Sequence, residues 1–247
     1  MNELVRVERI GEVALIMMNR PEARNAMNFE MATATVEAIL AAQDARAIVL
    51  TGEGTAFCAG LDLRNLGTGR LMDLPPFIAT AAQSKVPIIA AVNGAAVTGG
   101  LELALACDFM IASERARFAD THMRVGVYPG PVLVDLPRRV GMAWARQLSL
   151  TGDFIDADTA LRIGLVNLVV PHDELRATAL RLAVAIAEQD PHMVATARQD
   201  WDTTGGMALE AAHRSHRETA LKEGFAAKTS DELQARGQAV IDRAHGR

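Results

Sequence analysis

Residues 85–108 read KVPIIAAVNGAAVTGGLELALACD, and the fold of the chain turns on how they are parsed. Ile88–Val92 is an unbroken apolar run, not an alternating one, which predicts a strand covered on both faces. Asn93-Gly94 ends it. Gly99-Gly100 then opens a helix, because Leu101, Leu103, Ala104 and Leu105 continue in helical register. The N–H groups of a first helical turn have no partner inside the helix, which suits them to negative charge. Residues 86–101 are also the longest uncharged run, but Pro87, Asn93 and the glycines interrupt it. A spanning helix needs about 20 apolar residues, so the run is buried core and no membrane insertion is expected.

Working outward, residues 47–51 (AIVLT) and 109–112 are further buried strands, the first closed by the Gly52-Glu53-Gly54 turn. Residues 4–9 and 13–18 flank Gly11-Glu12 as a hairpin, and residues 28–43 form a helix with Asn28 as its N-cap. Doubly covered strands alternating with helices indicate an α/β fold with a parallel sheet and helices outside. From Gly141 the pattern turns helical, with helices at 142–150, 156–162 and 173–189 and a strand at 165–170. Past Pro191 three amphipathic segments are expected, broken at Gly205-Gly206 and at Lys228-Thr229-Ser230. The division is therefore a catalytic core over residues 1–190 and a helical docking or oligomerisation region over 191–247.

Composition narrows the function. The 247 residues are 50% apolar and 22% charged with net charge −5, a globular and mildly acidic profile. Without a basic patch, and with only 4% aromatic residues, nucleic acid is not expected as a partner. Cys58 and Cys107 make no disulfide framework, and charges at Glu3, Arg6, Glu8 and Arg9 speak against a signal peptide. A reduced, cytoplasmic setting is expected. The histidines lack metal-ligand spacing, so no metal is expected.

Two glycine-bearing stretches each follow a buried strand: TAFCAGLDL after AIVLT, and NGAAVTGGLE after IIAAV. In open α/β sheets ligands gather beyond the carboxyl ends of strands. Neither stretch is a G-x-G-x-x-G dinucleotide loop, and no G-K-[ST] phosphate loop occurs. Taken singly, such glycines serve turns as readily as sites.

Together they carry a resemblance. Asn19-Arg20-Pro21 with Asn25-Ala26, FCAGLDL at 57–63, the stretch 85–108, Phe118, Gly126, Pro129-Gly130, Leu148, Thr151-Gly152 and ALRIGLVNLVV at 160–170 resemble the crotonase (enoyl-CoA hydratase/isomerase) superfamily over nearly the whole chain. The resemblance implies a spiral of ββα units, with C-terminal helices assembling a homo-oligomer, a trimer or dimer of trimers. It implies an acyl-CoA thioester substrate, with coenzyme A as part of the substrate and no separate cofactor. The backbone N–H groups of Leu61 and Gly99 would form an oxyanion hole. They would stabilise charge on the thioester oxygen as an enolate forms.

Glu102 falls where hydratases of the superfamily carry one catalytic glutamate. Its helix end would lower its pKa and the surrounding Leu and Ala would raise it, and sequence does not decide between them. Where a second glutamate is expected stands His122. Two readings are open for it: an altered second acid/base, or a pocket residue hydrogen-bonded to a neighbour such as Asp120. Asp120 is itself a fallback acid. Gly130, where dehalogenating and dienoyl-isomerising variants need an Asp, agrees with the hydratase pattern, in which its N–H helps hold the catalytic water. Tyr128 is expected in the pocket wall. CoA binding is implied for Ala23, Arg24, Ala59, Asp62 and Leu63, with Arg24 as the phosphate partner, completed by Phe225 and Lys228 of a neighbouring subunit. The expected activity is enoyl-CoA hydration in fatty-acid metabolism. The alternatives are an enoyl-CoA isomerase using a single carboxylate, or a non-catalytic acyl-CoA-binding homologue.

Overall fold

A computed structural model describes residues 3–62, 64, 73–223, 229, 231, 234, 237, 238 and 240–242. By compactness the chain divides into two units, Met1–Pro191 and His192–Arg247.

The first unit is built on two sheets. β1 (Val5–Ile10) and β2 (Val13–Met18) form the expected antiparallel hairpin. β3 (Ala47–Gly52), β5 (Ile88–Val92), β7 (Phe109–Ser113) and β10 (Leu168–Val170) extend it by parallel pairing, in the order β1-β2-β3-β5-β7-β10. Alternate residues of these strands enter different cores. Ile16, Ile48, Leu50, Ala90 and Met110 pack with Met31, Ala38 and Ile39 of α1 (Phe29–Ala41). Leu15, Val49, Ile89 and Ile111 pack on Leu175, Ala179, Ala183 and Ala187 of α8 (Leu175–Ala187). The three alanines at i+4 spacing let α8 lie close to the sheet. Double coverage explains why the strands read as continuous apolar runs.

After β3, β5 and β7 the chain makes a second, shorter strand before its helix: β4 (Ala56–Cys58), β6 (Ala95–Val97) and β8 (Arg117–Ala119). These pair in parallel, and β9 (Ile155–Asp156) closes the four-stranded sheet antiparallel to β8. The helices that follow are α2 (Phe77–Ala82), α3 (Gly99–Leu105) and α4 (His122–Val125). This is the repeated ββα arrangement. Strands of two or three residues carry too little periodicity to be found from sequence. Asparagine side chains fasten them instead: Asn25 Nδ2 donates to Ala56 O (2.8 Å), and Asn93 Nδ2 to Gly54 O (3.0 Å).

Asn28 caps α1 as expected, its side chain accepting from Met31 N–H at 2.9 Å. α5 (Val132–Val140), α6 (Met142–Thr151) and α7 (Ala157–Arg162) precede β10. The strand expected at 165–170 begins only at Leu168. Leu165 and Val166 are buried, but their N–H groups turn back to Ala160 O, so they close α7 before any pairing starts.

In the second unit, α9 (Pro191–Thr204) and α10 (Leu209–Glu223) are joined by ion pairs of His192 with Glu223 and His216 with Asp200. Neither helix buries a residue, and Trp201, Leu209 and Leu221 are exposed. The third helical segment expected in the tail falls mostly outside the described residues.

Candidate active site

The carboxyl ends of β4, β6 and β8 lie side by side and carry the expected residues. Past β4 the chain turns at Gly60, φ +89°. A Cβ there would lie 2.8 Å from Val97 O and 3.4 Å from Gly99 N, so only glycine lets this turn pass the end of β6. Leu61 then pairs with Met27 in a parallel bridge that uses Gly60 O and Asp62 N–H (2.8 and 2.9 Å). Alternation along the extended chain turns the Leu61 N–H away from that pairing. A Cβ on Gly99 would stand 3.8 Å from Leu61 N, which measures how closely the two segments approach.

Thr98 precedes Gly99 with φ 53° and ψ −115°, a strained backbone for a β-branched residue. Its surroundings hold it there. Its N–H donates to Ala119 O (2.9 Å), and its hydroxyl shares a 2.6 Å hydrogen bond with Thr121 while accepting from Thr121 N–H (3.3 Å). The turn that starts α3 is thus bolted to the turn that starts α4.

One helical turn past Thr98, Glu102 is 5% exposed. Its Oε1 accepts from Val132 N–H at 3.2 Å, and a Cβ on Gly130 would come within 2.9 Å of the same oxygen. Burial pushes the Glu102 carboxyl above its ordinary value, partly opposed by the Val132 N–H, the nearby His122 and the Gly130 N–H. Burial is thus the largest of the influences on this carboxyl.

His122 is 4% exposed and meets both carboxylates: Nδ1 lies 2.6 Å from Asp120 Oδ1, and Nε2 lies 4.0 Å from Glu102 Oε2. Burial alone would raise the Asp120 carboxyl, but the His122 ring, the Ser149 hydroxyl and the His122 N–H together hold it below the ordinary value. Nδ1 is thus the ring nitrogen engaged by Asp120, and Nε2 is the one presented to Glu102. His122 is hydrogen-bonded to Asp120 and also faces Glu102. Asp120 is fully buried beside the imidazole.

The residues implied for CoA gather separately. Ala59 N–H donates to Arg24 O (3.0 Å), and Arg24 and Asn25 both hold positive φ. The Arg24 side chain is exposed. The Asp62 carboxylate is already engaged, accepting from Arg64 Nε and Nη2 (2.9 and 2.7 Å) and from Arg20 Nη1 (3.0 Å). Those contacts, Arg64 first, hold it well below the usual carboxylate range. Arg64 is a residue that the sequence reading missed, because the burial of its partner Asp62 shows only in the fold. Leu63, Phe225 and Lys228 lie outside the described residues. Tyr128 is 85% exposed, against its expected place in the pocket wall: little of the described chain covers the ring. Burial pushes the Cys58 thiol up to about 12, so it packs as an apolar residue. Among the described residues no group of three or more His, Cys, Asp or Glu is placed to hold a metal ion.

Residues 8–236 match the family described as enoyl-CoA hydratase/isomerase. A probable enoyl-CoA hydratase of Mycobacterium bovis is 38% identical over 232 residues, covering 90% of this chain and 86% of that protein. A crotonyl-CoA hydratase of Syntrophomonas wolfei is 37% identical over 193 residues, 73% of this chain and 74% of its own length. Among solved structures, an enoyl-CoA hydratase from Bacillus anthracis superposes with a TM-score of 0.87 at 30% identity, covering 97% of this chain and 96% of that one.

Proposed function

The chain belongs to the enoyl-CoA hydratase/isomerase family, and from that premise we propose that it adds water across the C2–C3 double bond of a 2-enoyl-CoA in fatty-acid metabolism. The observation that carries this reading is Glu102. It is a buried carboxylate with a raised pKa, facing an imidazole, beside two strand-end amides. Among the described residues no arginine or lysine pairs with it, and a carboxylate so buried is suited to acid–base chemistry.

In this reading the thioester oxygen sits between the N–H groups of Leu61 and Gly99. Glu102 takes a proton from water as its oxygen bonds to C3. The C2–C3 π electrons move toward the carbonyl, and the two amides stabilise the enolate oxygen that develops. The Nε2–H of His122 then delivers a proton to C2, the carbonyl re-forms, and Glu102 returns its proton to Nε2. One water is consumed and both side chains recover their starting states. The N–H groups of Gly130 and Val132 hold Glu102, and through it the water. Coenzyme A arrives as part of the substrate, its phosphate end met by Arg24 with Ala23, Ala59, Asp62 and Leu63 supplying backbone contacts.

Loss of the enoyl absorbance of crotonyl-CoA tests this directly. Turnover is expected, falling at least about 10²-fold in Glu102→Gln; undiminished activity in that variant overturns the assignment. Faster conversion of a 3-enoyl-CoA would make the enzyme an isomerase, and tight binding without any turnover would make it a binder only.

The exposed Trp201, Leu209 and Leu221 of α9 and α10 support assembly into a homotrimer or hexamer. A one-chain mass in light scattering overturns that part. Two buried, unpaired cysteines support a reducing cytoplasmic setting. Among the described residues no helix is long and apolar enough to cross a membrane.

A further inference from the structure

We propose that Asp120 is a positioning residue for this site: its carboxylate takes the Nδ1–H of His122, fixes Nε2 as the nitrogen facing Glu102, and supplies the negative charge that a protonated His122 needs to act as the acid. The inference rests on the hydratase reading above and names what makes His122 serviceable in it.

Three observations carry it. Asp120 is 0% exposed, and its Oδ1 receives both the His122 ring nitrogen at 2.6 Å and the His122 backbone N–H at 3.3 Å. One oxygen therefore sets the ring's tautomer and its direction together. Second, the cation nearest in sequence is turned elsewhere, since Arg124 donates to Thr151 O (3.0 Å) and pairs with Asp153. Among the described residues, the groups that face the pair are Glu102 from α3, Ser149 from α6 and the amides that open α5. None of them brings a positive charge. Third, Nε2 and Glu102 Oε2 stand 4.0 Å apart, too far for a hydrogen bond yet close enough to flank one reacting molecule.

The physical consequence concerns charge. Proton delivery to C2 calls for an acid that does not place an unbalanced positive charge in a buried pocket, because an isolated buried ion is costly. Asp120 and a protonated His122 sum to zero, so the pair offers one transferable proton with no net charge. The proton sits on the nitrogen that faces the substrate. Without the carboxylate, the imidazole's alternatives are the other tautomer, with Nε2–H in the neutral ring, or a direct ion pair with Glu102 that silences both groups.

The test uses the full chain with histidine ¹⁵N-labelled. In the native protein the His122 ¹⁵N shifts should report Nδ1–H; a neutral ring with Nδ1 bare overturns the proposal, and this outcome needs no variant. Asp120→Asn should lower kcat on crotonyl-CoA about 10²-fold or more while KM stays within about threefold. Asp120→Glu should restore part of kcat. In Asp120→Asn with His122→Gln, kcat should match His122→Gln alone, because Asp120 acts only through the ring. Full activity in a folded Asp120→Asn, or losses that multiply in the double variant, overturns the proposal. If Glu102→Gln retains activity, the hydratase reading falls instead, and the tautomer measurement still stands on its own.

Discussion

The two sheets of the first unit are held by different forces. The six-stranded sheet is filled on both faces: β2, β3 and β5 have every residue buried, with α1 and α8 as covers. The four-stranded sheet has strands of two or three residues, fastened by Asn25, Asn93 and the close pass at Gly60. Burial of apolar area is non-directional and tolerant, whereas hydrogen bonds and steric contacts fix positions. The large sheet buries the longer apolar runs, while the small one adds Phe57 and Phe118 to the same core. The small one supplies geometry, and the candidate chemistry sits at its strand ends.

The sharpest way to break that comparison is Glu102→Gln at the end of the small sheet. Activity should fall about 10²–10⁴-fold, while thermal unfolding stays where it was or moves up. The upward direction follows because burial disfavours the ionised carboxylate, and an amide removes that cost. A large loss of stability in this variant would mean that the site also holds the fold.

Ile89→Ala is the converse. The side chain is fully buried in the α8-side core, so a denaturant melt should show a loss of about 2–5 kcal/mol. The kcat of the remaining folded enzyme should be unchanged. A fall in kcat per folded molecule would show that the large sheet tunes the site and does not merely support it.

Gly60→Ala tests whether the small sheet is held by contact. The positive φ and the approach to Val97 O should cost about 1–3 kcal/mol. Displacement of the Leu61 amide should lower kcat up to about 10²-fold. An active, fully stable Gly60→Ala would show the turn to be more pliant than its contacts indicate.

The smallest effects are in pH. Asp120, held below its ordinary value of 3.8, contributes stability that is present above that value and lost as pH falls through the folded one. Glu102, raised above 4.5, works the other way: stability declines as pH rises from that value through its folded one. Urea midpoints measured from pH 3 to 7 should lose the acid-side fall in Asp120→Asn and the higher-pH decline in Glu102→Gln. The acid limb of kcat/KM, which follows ionisation of Glu102, should lie above the ordinary carboxylate range.

Legibility followed the same division. AIVLT, IIAAV and the hairpin were readable because double burial leaves a continuous apolar run, and the Asn28 cap was readable because its partner lies three residues away. The small sheet was not readable, since three residues hold no periodicity and its fasteners come from distant segments. Leu165 looked like strand because burial and pairing have the same apolar signature. Tyr128 looked like pocket because an aromatic beside a motif says nothing of which way it points. Arg64 was hidden by being an ordinary surface residue until Asp62 was seen buried beneath it.

Local pattern along the chain determined which segments would be buried, where the helices begin and which family the motifs belong to, because burial and capping are written at short spacing. Tertiary structure alone decided that Asp120 stands beside the His122 ring, that Nε2 and not Nδ1 faces Glu102, and that the Glu102 carboxyl is buried. Those outcomes depend on distances between residues up to some thirty positions apart and on the water they exclude, quantities that exist only once the chain has closed on itself.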